Sequence, residues 1–278
     1  MNIRANAWEP NRDGEEPELP TRSFNEVGGP LTGPKASPTV SVVIPARNEA
    51  MNLPHVLPRI PMWVHEVVLV DGNSTDGTVE VARGLLPNVR VVLQEGRGKG
   101  DALRLGFAAA TGDIIVMLDA DGSTDPAEVG AFVRRLRDGA DFVKGSRFLQ
   151  GSGTADISAF RQLGNGVFTL MVRVLFGGRF SDLCYGYNAF WAWTLPYLDL
   201  DGTGFEIETM MNVRALRAGL KVVEVHSFES ERIHGSSNLR ALPDGWRVVR
   251  TIFRERFLRR NLQRTVPGTR EALRADAR

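Results

Sequence analysis

The chain has 278 residues, 42% of them hydrophobic, with 34 Lys and Arg set against 33 Asp and Glu and a single cysteine. This composition excludes a fibrous, collagen-like or wholly disordered protein, and a formal charge of +1 gives no electrostatic reason to expect a nucleic-acid partner. Cys184 alone cannot close an internal disulfide, and the N-terminus is acidic and proline-bearing where a leader would be charged and then apolar, so a reducing cytoplasmic location is expected.

Residues 1–38 contain Pro10, Pro17, Pro20, Pro30, Pro34 and Pro38 with no apolar period, which predicts a disordered arm. Beyond it, short β-branched runs recur at Val40–Ile44, Glu66–Val70, Val89–Leu93, Ile114–Leu118 and Asp141–Val143. Between them, Thr78–Leu86, Ala102–Ala110 and Pro126–Leu136 carry apolar residues three and four apart, as amphipathic helices do. Alternation of this kind predicts an α/β fold with a mostly parallel sheet covered on both faces, and ligands then bind beyond the carboxyl ends of its strands.

After Arg147 the rhythm breaks. A glycine-bearing loop, a helix over Phe160–Phe176, an aromatic segment Tyr185–Trp193, a helix over Phe205–Ala218 and a strand over Leu220–Val225 are expected to continue the same sheet. Residues 39–148 thus read as one half of the domain, 149–265 as its acceptor half with the amphipathic helices and 266–278 as a flexible tail. The last helix, Trp246–Leu262, aligns Trp246, Val249, Phe253 and Phe257 on one face and bristles with arginine elsewhere. A basic amphipathic helix of this type can pack as an ordinary surface helix or rest on anionic lipid. Val167–Phe176 is too short and, with Arg173, too charged to cross a bilayer. That leaves peripheral contact with the cytoplasmic membrane face open.

The chemistry concentrates at strand ends. Ile114–Leu118 runs into Asp119-Ala120-Asp121-Gly122, and residues two apart on an extended segment point the same way. Two carboxylates converging there suit Mg²⁺ or Mn²⁺ bridging a diphosphate. The second strand ends in Asp71, whose carboxylate can accept hydrogen bonds from a nucleobase, followed by Ser74 and Asp76 as turn and N-cap residues. The first ends Pro45-Ala46-Arg47-Asn48-Glu49, with Arg47 available to phosphate and Glu49 to a helix dipole. Gly96-Arg97-Gly98-Lys99-Gly100 is a basic loop opening a helix, without the pattern of a P-loop and after the wrong strand for a dinucleotide fingerprint. Gly204-Phe205-Glu206-Ile207-Glu208 offers two acids at a helix start; Glu206 is the candidate base should the acceptor be an alcohol.

Taken together, Pro45-Ala46-Arg47-Asn48-Glu49, the Asp71–Thr78 segment, Gly98-Lys99-Gly100 and Asp119-Ala120-Asp121-Gly122 resemble the family 2 glycosyltransferases, and among them the dolichyl- or polyprenyl-phosphate mannose and glucose synthases. The resemblance implies a GT-A fold with residues 39–148 as its nucleotide-sugar-binding half, a nucleotide-sugar donor, a divalent metal and inversion at the anomeric carbon. It implies nucleoside-binding roles for Pro45, Ala46, Glu49 and Asp71, ribose and metal contacts for Asp119, a metal contact for Asp121, and a phosphate-facing role for Arg147 in Gly145-Ser146-Arg147. Arg232-Ile233-His234-Gly235-Ser236-Ser237-Asn238 resembles the family's Arg-x-x-Gly-x-Ser-Lys loop over the diphosphate, with Asn238 where lysine is usual and His234 available as a phosphate donor or metal neighbour. The acceptor implied is a polyprenyl phosphate or another small acceptor such as a saccharide.

Overall fold

A computed structural model describes residues 37–257. The arm expected over 1–38, apart from its last two residues, lies outside them, as do the tail over 266–278 and the end of the Trp246–Leu262 helix. Strand and helix alternate through the first half: β1 (Val40–Ala46), α1 (Leu53–Val56), β2 (Glu66–Asp71), α2 (Thr78–Leu85), β3 (Arg90–Leu93), α3 (Lys99–Ala109), β4 (Ile114–Met117), α4 (Val129–Arg137) and β5 (Phe142–Ser146). The second half adds β6 (Gly153–Thr154), α5 (Ala159–Phe176), β7 (Asn188–Trp191), α6 (Leu195–Leu198), α7 (Ile207–Arg217), β8 (Val222–His226), β9 (Phe228–Glu229) and α8 (Ala241–Phe257).

Seven strands form one sheet in the order β3-β2-β1-β4-β7-β5-β8. β1, β2, β3 and β4 pair in parallel, and β5 pairs in parallel with β8. The aromatic segment supplies β7, which runs antiparallel between β4 and β5. The fourth and fifth strands are therefore not neighbours, and a division of the chain at 148 falls inside a continuous sheet. The strands expected at Asp141–Val143 and Leu220–Val225 lie a little further along the chain, at Phe142–Ser146 and Val222–His226, where they pair with each other.

Strand residues alternate between two cores, as the two-residue period of a pleated strand requires. Val42, Ile44, Leu69 and Val116 pack with Leu53, Ala82, Phe132 and Leu136 on one face. Val43, Val70, Ile115 and Met117 pack with Leu103, Phe107, Ile207 and Met211 on the other. Gly106 lets α3 approach the second face: a Cβ there would lie 2.3 Å from Val43 Cγ1 and 2.9 Å from Val70 Cγ2. Both neighbours are β-branched and fixed in strands, so they cannot swing aside. We expect Gly106→Ala to lose about 1–3 kcal/mol to overpacking, outweighing the roughly 1 kcal/mol that alanine gains in a helix interior. Thermal unfolding of the variant checks this, and an unchanged or raised Tm refutes it.

Candidate active site

Because β1, β2 and β4 are parallel neighbours, the loops leaving their carboxyl ends share one edge of the sheet. Side chains lace the first two loops together. Asn48 N–H donates to Ser74 Oγ at 2.9 Å, Glu49 N–H to Thr78 Oγ1 at 2.9 Å, Ala50 N–H to Asp76 Oδ2 at 3.0 Å, and Thr75 N–H to Asn48 Oδ1 at 2.9 Å. Ser74 and Asp76 thus hold the loop pair in shape; the N-cap of α2 is Gly77, at φ 85°, rather than Asp76. Pro45 and Ala46 complete β1, with the Ala46 carbonyl accepting from Gly72 N–H at 2.8 Å. Asp71 is 4% exposed and accepts from Ser74 N–H at 3.1 Å through Oδ2, while its Oδ1 is buried without a hydrogen-bond partner. A buried acceptor left unpaired is costly, so this oxygen is a natural seat for a ligand N–H.

Each acid of the Asp119-Ala120-Asp121 motif faces an internal cation. Lys99 Nζ lies 2.7 Å from Asp119 Oδ1 and 2.9 Å from Glu208 Oε1. Arg232 lies 3.0 Å from Asp121 Oδ2 and 2.9 Å from Glu49 Oε1. Asp121 Oδ1 also accepts from Ser123 N–H and Oγ, at 3.0 and 2.7 Å. Burial disfavours the Lys99 ammonium, but Asp119 and Glu208 outweigh it and push its pKa upward, so the charge is retained. Burial raises the Glu49 carboxyl above its ordinary value, with Asn52 and Arg232 opposing.

The segment that carries Arg232 is docked on the same edge. Ser230 N–H donates to the Ser123 carbonyl at 2.8 Å, Ile233 N–H to the Asp121 carbonyl at 3.2 Å, and His234 N–H to Asn52 Oδ1 at 2.9 Å. Asn52, which sequence reasoning passed over, also donates to Glu49 Oε2 at 2.5 Å and to the His234 carbonyl at 3.2 Å. Its only advance signal is its position three residues after Glu49. The His234 ring packs against His55, with centroids 5.8 Å apart. Asn238 is exposed.

Two residues have surroundings that differ from expectation. Arg147 does not face an open phosphate site: its side chain is 4% exposed, with Nε 2.7 Å from Asp182 and Nη1 2.9 Å from Glu229. Asp182 and Glu229 together take one N–H from each of Nε, Nη1 and Nη2, and the guanidinium thereby joins the end of β5 to the segments before β7 and at β9. Glu206 Oε1 accepts from Thr203 and Gly204 N–H at 3.1 and 3.0 Å, which fixes its own turn, and Oε2 is buried without a partner. Glu208, set aside in favour of Glu206 on sequence, is the acid that reaches Lys99.

Glycosyl transferase family 2 matches residues 41–190, more than half of the chain. The protein belongs to that family. Glycosyltransferase AglJ of Haloferax volcanii is 30% identical to the transferase over 218 residues, covering 77% of it and 71% of AglJ. An undecaprenyl-phosphate mannosyltransferase of Micrococcus luteus is 33% identical over 214 residues, covering 72% of the transferase and 87% of its relative. Among solved structures, glucosyl-3-phosphoglycerate synthase from Mycobacterium tuberculosis, in complex with Mn²⁺, UDP and glucosyl-3-phosphoglycerate, superposes with a TM-score of 0.63 at 25% identity, covering 80% of the transferase and 81% of that chain. The seven-stranded, mostly parallel sheet of the transferase is thus a GT-A fold.

Proposed function

We propose that this family 2 glycosyltransferase transfers a hexosyl group, with inversion, from a GDP-mannose- or UDP-glucose-type donor to a polyprenyl phosphate at a membrane surface, with Mg²⁺ or Mn²⁺ held at Asp119 and Asp121. On the donor side, the unpaired Asp71 oxygen suits a nucleobase, with Ala46 opposite Asp71 and Pro45 opposite Val70 in the sheet and Glu49 on the loop that follows. Among the described residues no three His, Cys, Asp or Glu side chains gather as a ready-made metal cage. The hard carboxylate oxygens of the two aspartates would still suit a divalent ion, which could stabilise a bound diphosphate. Glu49, Asp119, Asp121 and Glu208 set four carboxylates against the two cations Lys99 and Arg232, leaving two negative charges in the cluster. A bound divalent ion would stabilise the charge that gathers on the departing diphosphate. Lys99 and Arg232 add positive charge on the same edge. A phosphomonoester acceptor, with a second pKa of about 6, is already ionised at neutral pH and needs no protein base.

One observation carries the lipid acceptor. α5 and α8 pack against each other through Val172, Phe168, Val248 and Ile252, yet both turn large apolar side chains outward. On α5, Phe160, Leu163, Val167, Leu170 and Val174 recur at helical spacing, and on α8 Leu242, Trp246, Phe253 and Phe257 join them, with exposures from 43% at Phe253 to 74% at Val174. Exposed Arg173, Arg247, Arg250 and Arg256 stand on the same two helices. Apolar residues beside arginines suit insertion among anionic headgroups. Among the described residues, no helix is long and apolar enough to cross a membrane.

The test supplies radiolabelled nucleotide sugars with vesicles containing polyprenyl phosphate, alongside soluble saccharide acceptors. Label entering the lipid phase is the expected result; label confined to water-soluble product overturns the lipid acceptor. A second reading, transfer to a hydroxyl acceptor, is favoured by the free Oε2 of Glu206, which could take the hydroxyl proton. Glu206→Gln separates the two readings. It should abolish transfer to an alcohol and leave transfer to a phosphate largely intact.

A further inference from the structure

Glu208 projects from the first turn of α7 and is 3% exposed. A carboxylate so buried is expensive unless a cation meets it, and Lys99 at 2.9 Å is that cation. Lys99 in turn opens α3 and reaches Asp119, just beyond β4, at 2.7 Å. Three elements distant in sequence therefore meet at one ammonium group. Gly186 closes the space beneath it: a Cβ at that position would lie 2.9 Å from Lys99 Nζ, 3.0 Å from Asp119 Oδ2 and 3.4 Å from Glu208 Oε1. The start of α3 is also tied to the loop before α7, since Gly100 N–H donates to the Thr203 carbonyl at 3.0 Å. Lys99 thus has little room to move away from the two acids.

We propose that Glu208 is a positioning residue for glycosyl transfer: by holding Lys99 from the side opposite Asp119, it fixes the orientation of the first acid of the motif and supplies one of the two excess negative charges that receive the divalent cation. The inference rests on the reading that a divalent cation and a nucleoside diphosphate bind at this edge. Without Glu208, Lys99 would be matched by Asp119 alone. The ammonium would then cancel Asp119 as a partner for a cation, and only Asp121 and Glu49, shared with Arg232, would remain. A residue that orients a group contacting a metal, without contacting the metal itself, commonly changes metal affinity or activity by about 10–100-fold.

The experiment uses the full chain and measures Mn²⁺ binding calorimetrically in the presence of UDP or GDP, together with kcat and donor KM. Glu208→Gln keeps the size and an acceptor oxygen for Lys99 but removes the charge. We expect its Mn²⁺ affinity to fall by about 10–100-fold, with nucleotide affinity in the absence of metal unchanged. Glu208→Asp, which keeps the charge on a shorter arm, should recover most of the loss. Because the orienting part of the role runs through Lys99, Glu208→Gln should cost less Mn²⁺ affinity in a Lys99→Met background than in the wild-type chain. Wild-type Mn²⁺ affinity in a folded Glu208→Gln variant, or strictly additive losses in the double variant, overturns the positioning role and leaves the proposed metal intact. A wild-type chain that binds no Mn²⁺ with either nucleotide overturns both.

Discussion

Asp121→Asn should lower glycosyl transfer by about 100-fold or more, the scale of losing one group that stabilises charge in a transition state. The effect is expected to be large because Asp121 serves three partners at once. Its Oδ1 accepts from Ser123, Oδ2 faces Arg232, and its backbone carbonyl accepts from Ile233 N–H. The amide variant keeps the size and the backbone contact but loses the charge that faces Arg232 and that the proposed divalent ion would meet. Initial rates with saturating Mn²⁺ and donor are the relevant measurement. Turnover within a few-fold of wild type, in a variant with unchanged thermal stability, would remove Asp121 from the mechanism. Raising Mn²⁺ should not rescue the loss fully, because the freed Arg232 then has only Glu49 to hold it.

The second large effect concerns stability. Arg147→Met should cost about 3–5 kcal/mol, the range for breaking a buried ion pair by removing one partner. Asp182 is fully buried and Glu229 nearly so, and the substitution leaves both facing a hydrophobic side chain. Removing Asp182 as well, as Arg147→Met with Asp182→Asn, should recover part of the loss, since the penalty comes chiefly from the stranded charge. Urea unfolding of the three proteins measures this, and equal midpoints for wild type and Arg147→Met would refute it. The same pair sets an acid limit. Burial opposes ionisation of Asp182, but hydrogen bonds and charge from Arg147 outweigh it, holding the pKa below the ordinary 3.8. A carboxyl with a depressed folded pKa stabilises the fold fully above its unfolded pKa, and the contribution is lost as pH falls below 3.8 toward the folded value. Arg147→Met should therefore flatten the acid side of the stability profile.

The strand ends were readable because their signals are local. An apolar run that stops at Asp119-Ala120-Asp121, or at Asp71, declares both the strand and its polar terminus within ten residues. The parallel strands β1 to β4 followed from the same β-α-β rhythm, as did the helices between them. The surroundings of the site residues were not readable, because they form between segments far apart in the chain. Arg147 meets Asp182 across 35 residues and Glu229 across 82, and Arg232 meets Glu49 across 183. A motif shows that Arg147 is present but not that two acids occupy its donors. The different surroundings of Glu206 and Glu208 were hidden for a related reason. Two acids two positions apart at a helix start differ only in which way the helix turns them, and the turn that Glu206 caps with its own carboxylate was invisible in the spacing. The antiparallel insertion of β7 left no trace in its aromatic sequence, since burial on both faces is common to parallel and antiparallel core strands.

That insertion also bears on how the chain can fold. β7 fills the space between β4 and β5, yet follows them by some seventy and forty residues. Until it arrives, two fully buried strands, β4 wholly apolar and β5 carrying Lys144 and Ser146, hold open edges able to pair with another chain. Closing those edges requires contacts of long sequence separation, which form slowly. The strand ends at Asp71 and Asp119-Ala120-Asp121 are encoded in the first half of the protein, but Glu208 and Arg232, which complete the cluster, and the platform beneath it come only with the second half.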